Sequence, residues 1–108
     1  MTKTRSKAAI LAALGILAGG AQAQDADANA RAARYLAANC ANCHGTHGSA
    51  QGQMPSLAGQ PKSYISDQMK AFRDGKRPAT IMHQLAKGYS DQQVELIADH
   101  FSRQKPAR

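Results

Sequence analysis

Tryptophan is absent from this chain of 108 residues, and two phenylalanines and three tyrosines are all its aromatic side chains. A small domain so poor in large rings is marginal unless a disulfide, a metal or another prosthetic group adds to its core. Cysteine is scarce too: Cys40 and Cys43 are the only two, so one local bridge is the most that disulfide chemistry could offer. Alternating runs of β-branched residues are almost missing, which removes the strands that a thioredoxin-like βαβ fold needs around a C-x-x-C pair. No G-x-G-x-x-G follows a strand-like run, which excludes a flavin or dinucleotide site on this polypeptide. Acidic residues number 7 against 14 lysines and arginines, a formal charge of +7 that on its face suggests a nucleic-acid partner.

That charge shrinks once the N-terminus is read. Lys3, Arg5 and Lys7 precede the apolar run "AAILAALGILAGG", and Ala21-Gln22-Ala23 supplies a small-x-small site before Gln24. This is the layout of a secretory signal, and the run is too short for a membrane span. The expectation is a signal peptide over residues 1–23, removed on export to the periplasm, and a single domain over 24–108 with no membrane span. Removal takes three basic residues away and leaves eleven against seven acidic, a net charge of +4 on 85 residues. The basicity is therefore partly a targeting feature, and a nucleic-acid partner is not expected.

Residues 40–48 read "CANCHGTHG". A Cys40–Cys43 disulfide is chemically allowed in an oxidising compartment, and Cys40, Cys43, His44 and His47 include the right atoms for zinc. Structural zinc sites, however, usually separate their ligand pairs by about a dozen residues, because ligands this close cannot easily surround one ion. Neither reading requires a histidine directly after Cys43. Covalent haem attachment does: two thiols on one helical turn add to the two haem vinyl groups, and the next imidazole then lies beneath the iron. Cys40 and Cys43 are thus the expected thioether anchors of one haem c, and His44 its proximal ligand.

The rest of the pattern is helical. "DANARAARYLAAN", from about Asp27 to Asn39, favours a helix leading into the haem motif, with Asp25 and Asp27 placed as carboxylates suit a helix N-terminus. A glycine-rich loop follows over 45–60. Pro61 suits a first helical position, Ile65, Met69 and Phe72 recur at i, i+4, i+7, and Gly75 stops that helix. Ser90 and Gln93 form a capping box ahead of Val94, Ile97, Ala98 and Phe101, again at helical spacing. The expected fold class is all-α.

A second axial ligand separates an electron carrier from an open-site haem enzyme or a gas sensor. His47 is too near His44 to reach the opposite haem face, Met69 belongs to an apolar stripe, His100 adjoins Phe101 on the last helix, and Met54 follows His44 closely enough to stay on the proximal side. Met82, with 38 residues of chain to pass around the haem edge, is the preferred ligand. His83 in its place would give bis-histidine ligation. Around it, Lys62, Lys70, Arg73, Lys76, Arg77 and Lys87 against Asp67 and Asp74 give residues 62–87 a net +4, either an ordinary solvated face or a rim for steering an acidic redox partner.

"CANCHGTHG", "PSLAGQ", "MKAFRDGKRP" and above all "ATIMHQLAKGYSDQQ" resemble the small monodomain bacterial cytochromes c, in particular the haem subunit of flavocytochrome c sulfide dehydrogenase. The resemblance covers nearly all of residues 30 to 103. It implies a small single-domain cytochrome c fold wrapped around one covalent haem, His/Met ligation by His44 and Met82, and a carbonyl of Pro55 accepting from the Nδ1–H of His44. It also implies a flavoprotein (FAD) partner that oxidises sulfide and passes electrons to this haem, with a downstream redox acceptor, the chain not being catalytic alone. The alternative is a freely diffusing carrier that serves a terminal oxidase. Some such relatives carry two haem domains, whereas the single C-x-x-C-H here fits one haem. The relatives also tend to carry glycine where His83 follows the ligand methionine.

Overall fold

The computed structural model describes residues 8–107, with side chains from 22 onward. Four α-helices and no strand occur among them: α1 (Ala8–His44), α2 (Lys62–Arg73), α3 (Met82–Ala86) and α4 (Asp91–Ser102), with a short 3₁₀ turn over Thr46–Gly48. None of these helices is long and apolar enough to cross a membrane.

Helix α1 runs unbroken through the predicted cleavage site, so Asp25 and Asp27 lie inside it rather than at its start. The alanine- and leucine-rich run upstream has high intrinsic helix propensity, and a signal-peptide cleavage site is an address read by a protease, not a helix breaker. Lys3, Arg5 and Lys7 lie outside the described residues. Ahead of the buried His44, the apolar side chains that the domain end of α1 buries are small, Ala33 and Ala37, which lets α4 approach closely through Ala98. Ala37, Ala98, Ile65, Ile97 and Phe101 form one core cluster, against which Leu36, Cys40, Leu57 and Tyr89 pack. The C-x-x-C-H motif is thereby seated on the core by its own helix, through Cys40.

The glycine-rich loop is ordered by backbone pairing. Leu57 and Ala58 both donate from their amides to the carbonyl of Gly48 at 2.7 and 3.1 Å, and the Gly59 amide reaches the carbonyl of Phe101 at 3.0 Å. Gly48 is buried at φ 79°, and a Cβ there would stand 2.7 Å from Cδ1 of Phe101 and 2.9 Å from the Ala58 nitrogen. Gly48→Ala combines a left-handed backbone with overpacking against the largest core side chain. It is expected to cost about 2 to 4 kcal/mol, read by urea unfolding of the haem-loaded protein.

Pro61 caps α2 from just outside rather than occupying its first turn, and its carbonyl accepts from the Ile65 amide at 3.1 Å. Gly75, at φ 71°, ends the helix as its position implied. At α4 both halves of the capping box are present: Ser90 Oγ accepts from the Gln93 amide at 3.2 Å, and Gln93 Oε1 accepts from the Ser90 amide at 2.9 Å.

The basic segment looks different in three dimensions. Lys62 and Lys70 pair with Glu95 at 3.5 and 3.2 Å, and Arg73 pairs with Asp91 at 2.6 Å. Ser66 and Lys70 hold the Glu95 carboxyl below the ordinary glutamate range, and Arg73 does the same for Asp91. Both acids lie on α4, beyond the window that gave +4, so a count along the chain missed charges that α2 meets by packing. What remains exposed and without a carboxylate partner among the described residues is Lys76 and Lys87.

Candidate functional site

Cys40, Cys43 and His44 occupy the last turn of α1. Spacing of three and four residues puts them on neighbouring positions of one helix surface, and the chain then turns away at Gly45, φ 84°. Both thiols are free; Cys40 is half-buried and burial pushes its thiol up, whereas Cys43 is exposed. His44 is 7% exposed, unusual for a histidine, and its Nδ1 lies 2.7 Å from the carbonyl oxygen of Pro55. A carbonyl only accepts, so Nδ1 carries the proton and Nε2 is left with the lone pair that a metal requires.

These residues line a cavity of about 390 Å³ that also takes in Pro55, Met82 and the facing side of α2. Met82 is the first residue of α3 and packs on a second core cluster of Met69, Ala86 and Val94. The cavity therefore brings together Cys40, Cys43, His44, Pro55 and Met82, drawn from three separate parts of the chain. Of the six candidates for a second ligand, Met54, Met69 and Met82 line it, and His47, His83 and His100 do not. His47 stands exposed in a left-handed conformation at φ 58°, a region in which histidine is among the enriched residue types. His100 packs edge-on against Phe101 at 5.2 Å and faces a different groove. His83 is partly buried, and its Nδ1 has no hydrogen-bond partner.

An ion alone would not suit this place. Among the described residues no three His, Cys, Asp or Glu side chains converge as metal ligands. The lining is mainly apolar instead, and Ile81, Leu85, Tyr64 and Met54 stand 55, 49, 46 and 42% exposed along it. Large apolar side chains left so open in a small protein call for an apolar body to cover them. Two thiols for covalent attachment, an imidazole with Nε2 available and a thioether among the lining residues fit haem c in their chemistry.

The whole segment answers to one family. A family model described as Cytochrome c matches residues 29–103. The chain belongs to the cytochrome c family. As a cytochrome c it is an electron-transfer protein with covalently bound haem c, in an all-α, single-domain fold. It is 39% identical over 66 residues to the cytochrome subunit of sulfide dehydrogenase from Chlorobaculum tepidum, a match covering 61% of this chain and 60% of that protein. It is also 39% identical over 84 residues to a thiosulfate dehydrogenase electron acceptor from Thiomonas intermedia, covering 76% of this chain and 39% of that one. A solved cytochrome c4 structure from Acidithiobacillus ferrooxidans superimposes with a TM-score of 0.58 at 39% identity, over 59% of this chain and 37% of the other.

Several lining residues are not evident from the sequence. Helical spacing puts Phe72 in a core stripe and the charge pattern puts Arg77 on the surface, yet both face the cavity, together with Gln68 and Tyr89. The usable signal is the stop at Gly75: the chain must double back there, and whatever follows it passes over the face of α2.

Proposed function

We propose that this cytochrome c is an exported carrier of single electrons, with residues 1–23 removed on passage to the periplasm and residues 24–108 holding one haem. Cys40 and Cys43 anchor it, His44 and Met82 ligate its iron from opposite faces, and Pro55 orients His44. The observation that carries this reading is the cavity that gathers all five residues while leaving every alternative histidine ligand outside. Haem c supplies a reversible one-electron couple whose potential follows axial ligation, burial and hydrogen bonding. The protein's part is to fix the imidazole tautomer, exclude water with Met69, Ile97 and their neighbours, and present an open apolar rim to a partner.

The electron donor in this proposal is an FAD-bearing flavoprotein that oxidises sulfide, in keeping with the likeness to a sulfide dehydrogenase cytochrome subunit. A second reading, a diffusing carrier that takes electrons from another sulfur-compound dehydrogenase, rests on the likeness to a thiosulfate dehydrogenase electron acceptor. The two differ in their contacts. A bound subunit meets its flavoprotein through the rim of Ile81 and Leu85 and is nearly indifferent to salt, whereas a diffusing carrier is steered by the free cations Lys76 and Lys87.

The test purifies the protein from its native periplasm with any associated flavoprotein and follows sulfide-dependent haem reduction by stopped flow from low to high salt. Lys76→Glu with Lys87→Glu is expected to leave flavin-to-haem transfer within about twofold and to slow exchange with an acidic acceptor about tenfold or more at low salt, converging at high salt. Haem that no flavoprotein and sulfide can reduce, but that thiosulfate and its dehydrogenase can, would replace the first donor with the second.

A further inference from the structure

In the intact chain Gln24 sits within α1, and residues 22–31 of that helix are all exposed. Packing holds the helix only further in. The first of its residues to line the groove shared with α4 is Ala26, with Asn29 and Ala33 on the same wall and Leu96 and His100 opposite. Gln24 and Asp25 lie beyond that groove, and no side-chain hydrogen bond among the described residues holds the Gln24 amide.

Removal of residues 1–23 turns this solvated stretch into a helix end. The main-chain nitrogens of Gln24, Asp25, Ala26 and Asp27 then lose the carbonyls four positions upstream that α-helical pairing requires. With no packing contact at Gln24 to compensate, its backbone leaves the helix freely. Two reactive groups then meet in one residue. The new α-amine titrates near enough to neutrality to keep an uncharged, nucleophilic fraction, as an ordinary lysine amine does not. The side-chain amide carbon of Gln24 comes within its reach by rotation about that residue's own bonds.

We propose that Gln24 is a site of self-modification: its α-amine closes on its own side-chain amide and leaves the mature protein with an N-terminal pyroglutamate. This rests on the removal of residues 1–23 proposed above. The nitrogen lone pair attacks Cδ, the bond from Cδ to Nε2 breaks, and Nε2 departs as ammonia with a proton from the α-amine. A γ-lactam remains, and no oxidant, reductant or co-reactant is consumed. Nucleophile and carbonyl belong to one residue, so the step has the advantage of an intramolecular reaction. The product also suits the helix better than the reactant. An α-ammonium would place positive charge at the positive end of the α1 macrodipole, whereas the neutral lactam leaves Asp25 and Asp27, carboxylates of the new first turn, to face it alone. The same closure removes the free amine that an aminopeptidase needs.

The experiment takes the haem-loaded protein from its native periplasm and applies intact mass and Edman sequencing. Both are repeated after incubation at neutral pH for the time in which a synthetic peptide of residues 24–30 cyclises. The incubated parent is expected to have the mass of residues 24–108 and the attached haem less one ammonia. It should give no Edman sequence, and should yield one that starts at Asp25 after treatment with a pyroglutamate aminopeptidase. Gln24→Ala should lose no ammonia, sequence directly from residue 24 and focus at a higher isoelectric point than the parent, because its α-amine persists. A parent that keeps the free amine of Gln24 through the incubation overturns the lactam and leaves the cleavage standing. A chain that still carries residues 1–23, or that starts at another position, overturns both.

Discussion

Cys40→Ala together with Cys43→Ala is expected to abolish the folded, coloured protein. The reason lies in the core. Among the described residues, Ala33, Ala37, Ala58, Ala86 and Ala98 are half of the ten buried apolar ones, and Phe101, Ile97 and Val94 are the largest fully buried side chains. So small a core leaves the lining of a 390 Å³ cavity, with Ile81 and Leu85 about half exposed on it, to be covered by the prosthetic group. Removing both proposed anchors would turn a covalent occupant into one that can leave, and binding free energy lost from the native state is folding free energy lost. The expected penalty is comparable to the whole stability of a small domain, about 5 kcal/mol or more. Haem staining on a denaturing gel should disappear, and far-ultraviolet circular dichroism should report loss of cooperative helical melting. A double variant that melts cooperatively at the parental temperature without haem would show that the protein core suffices by itself and that the cavity needs no occupant to hold the fold. Cys43→Ala alone should retain one thioether and a weaker version of the same spectrum, because Cys40 is the half-buried one of the two proposed anchors and packs against the cluster that holds Ile97 and Phe101.

Met82→Ala should leave a folded protein with a different iron. Met82 heads the short α3 and touches the Met69, Ala86 and Val94 cluster, so its loss costs packing as well as the proposed ligand, roughly 1 to 3 kcal/mol by unfolding. The larger effect is spectroscopic and redox. The charge-transfer band that reports sulfur on ferric iron should vanish, carbon monoxide should bind the ferrous protein, and the potential should fall by on the order of 0.1 V or more, within the roughly 0.8 V that axial ligands command. Met54→Ala and Met69→Ala are the controls, since both thioethers line the cavity. Met69→Ala should cost more stability, its side chain being buried in the core, and should keep the sulfur band. If the band instead survives Met82→Ala and is lost in Met69→Ala, the ligand is Met69.

How much of this was legible in the sequence varied with the range of the interaction responsible. The attachment motif, the capping box of Ser90 and Gln93 and the stop at Gly75 are local, each set by residues within a few positions, and the structure has the last two where the pattern placed them. The all-α class followed from helical spacing and from the scarcity of strand-forming runs, and it holds among the described residues. The start of α1 was not legible, because the small residues of the expected cleavage site leave no mark on backbone propensity and the alanine-rich run carries the helix through them. The charge on residues 62–87 misleads for the opposite reason: Glu95 and Asp91 neutralise Lys62, Lys70 and Arg73 only after α2 has packed on α4. Arg77 was hidden by both effects, since a local turn and a distant cavity together decide what it faces.

The packing of Ala37 on Ala98 also governs the order of events as the chain is made. These partners are 61 positions apart, so α1 is complete long before the helix that covers it exists. Closing a loop of that size carries an entropic cost that grows as the logarithm of its length, and the cluster around Ala37 and Ile65 stays incomplete until Ile97, Ala98 and Phe101 arrive. Throughout that interval Cys40 has no Ile97 or Phe101 to shelter it, and the glycine loop lacks the Phe101 carbonyl that later receives Gly59. The nascent chain thus offers its thiols in an open helix end, and the native fold withdraws Cys40 from that window only when the last helix docks.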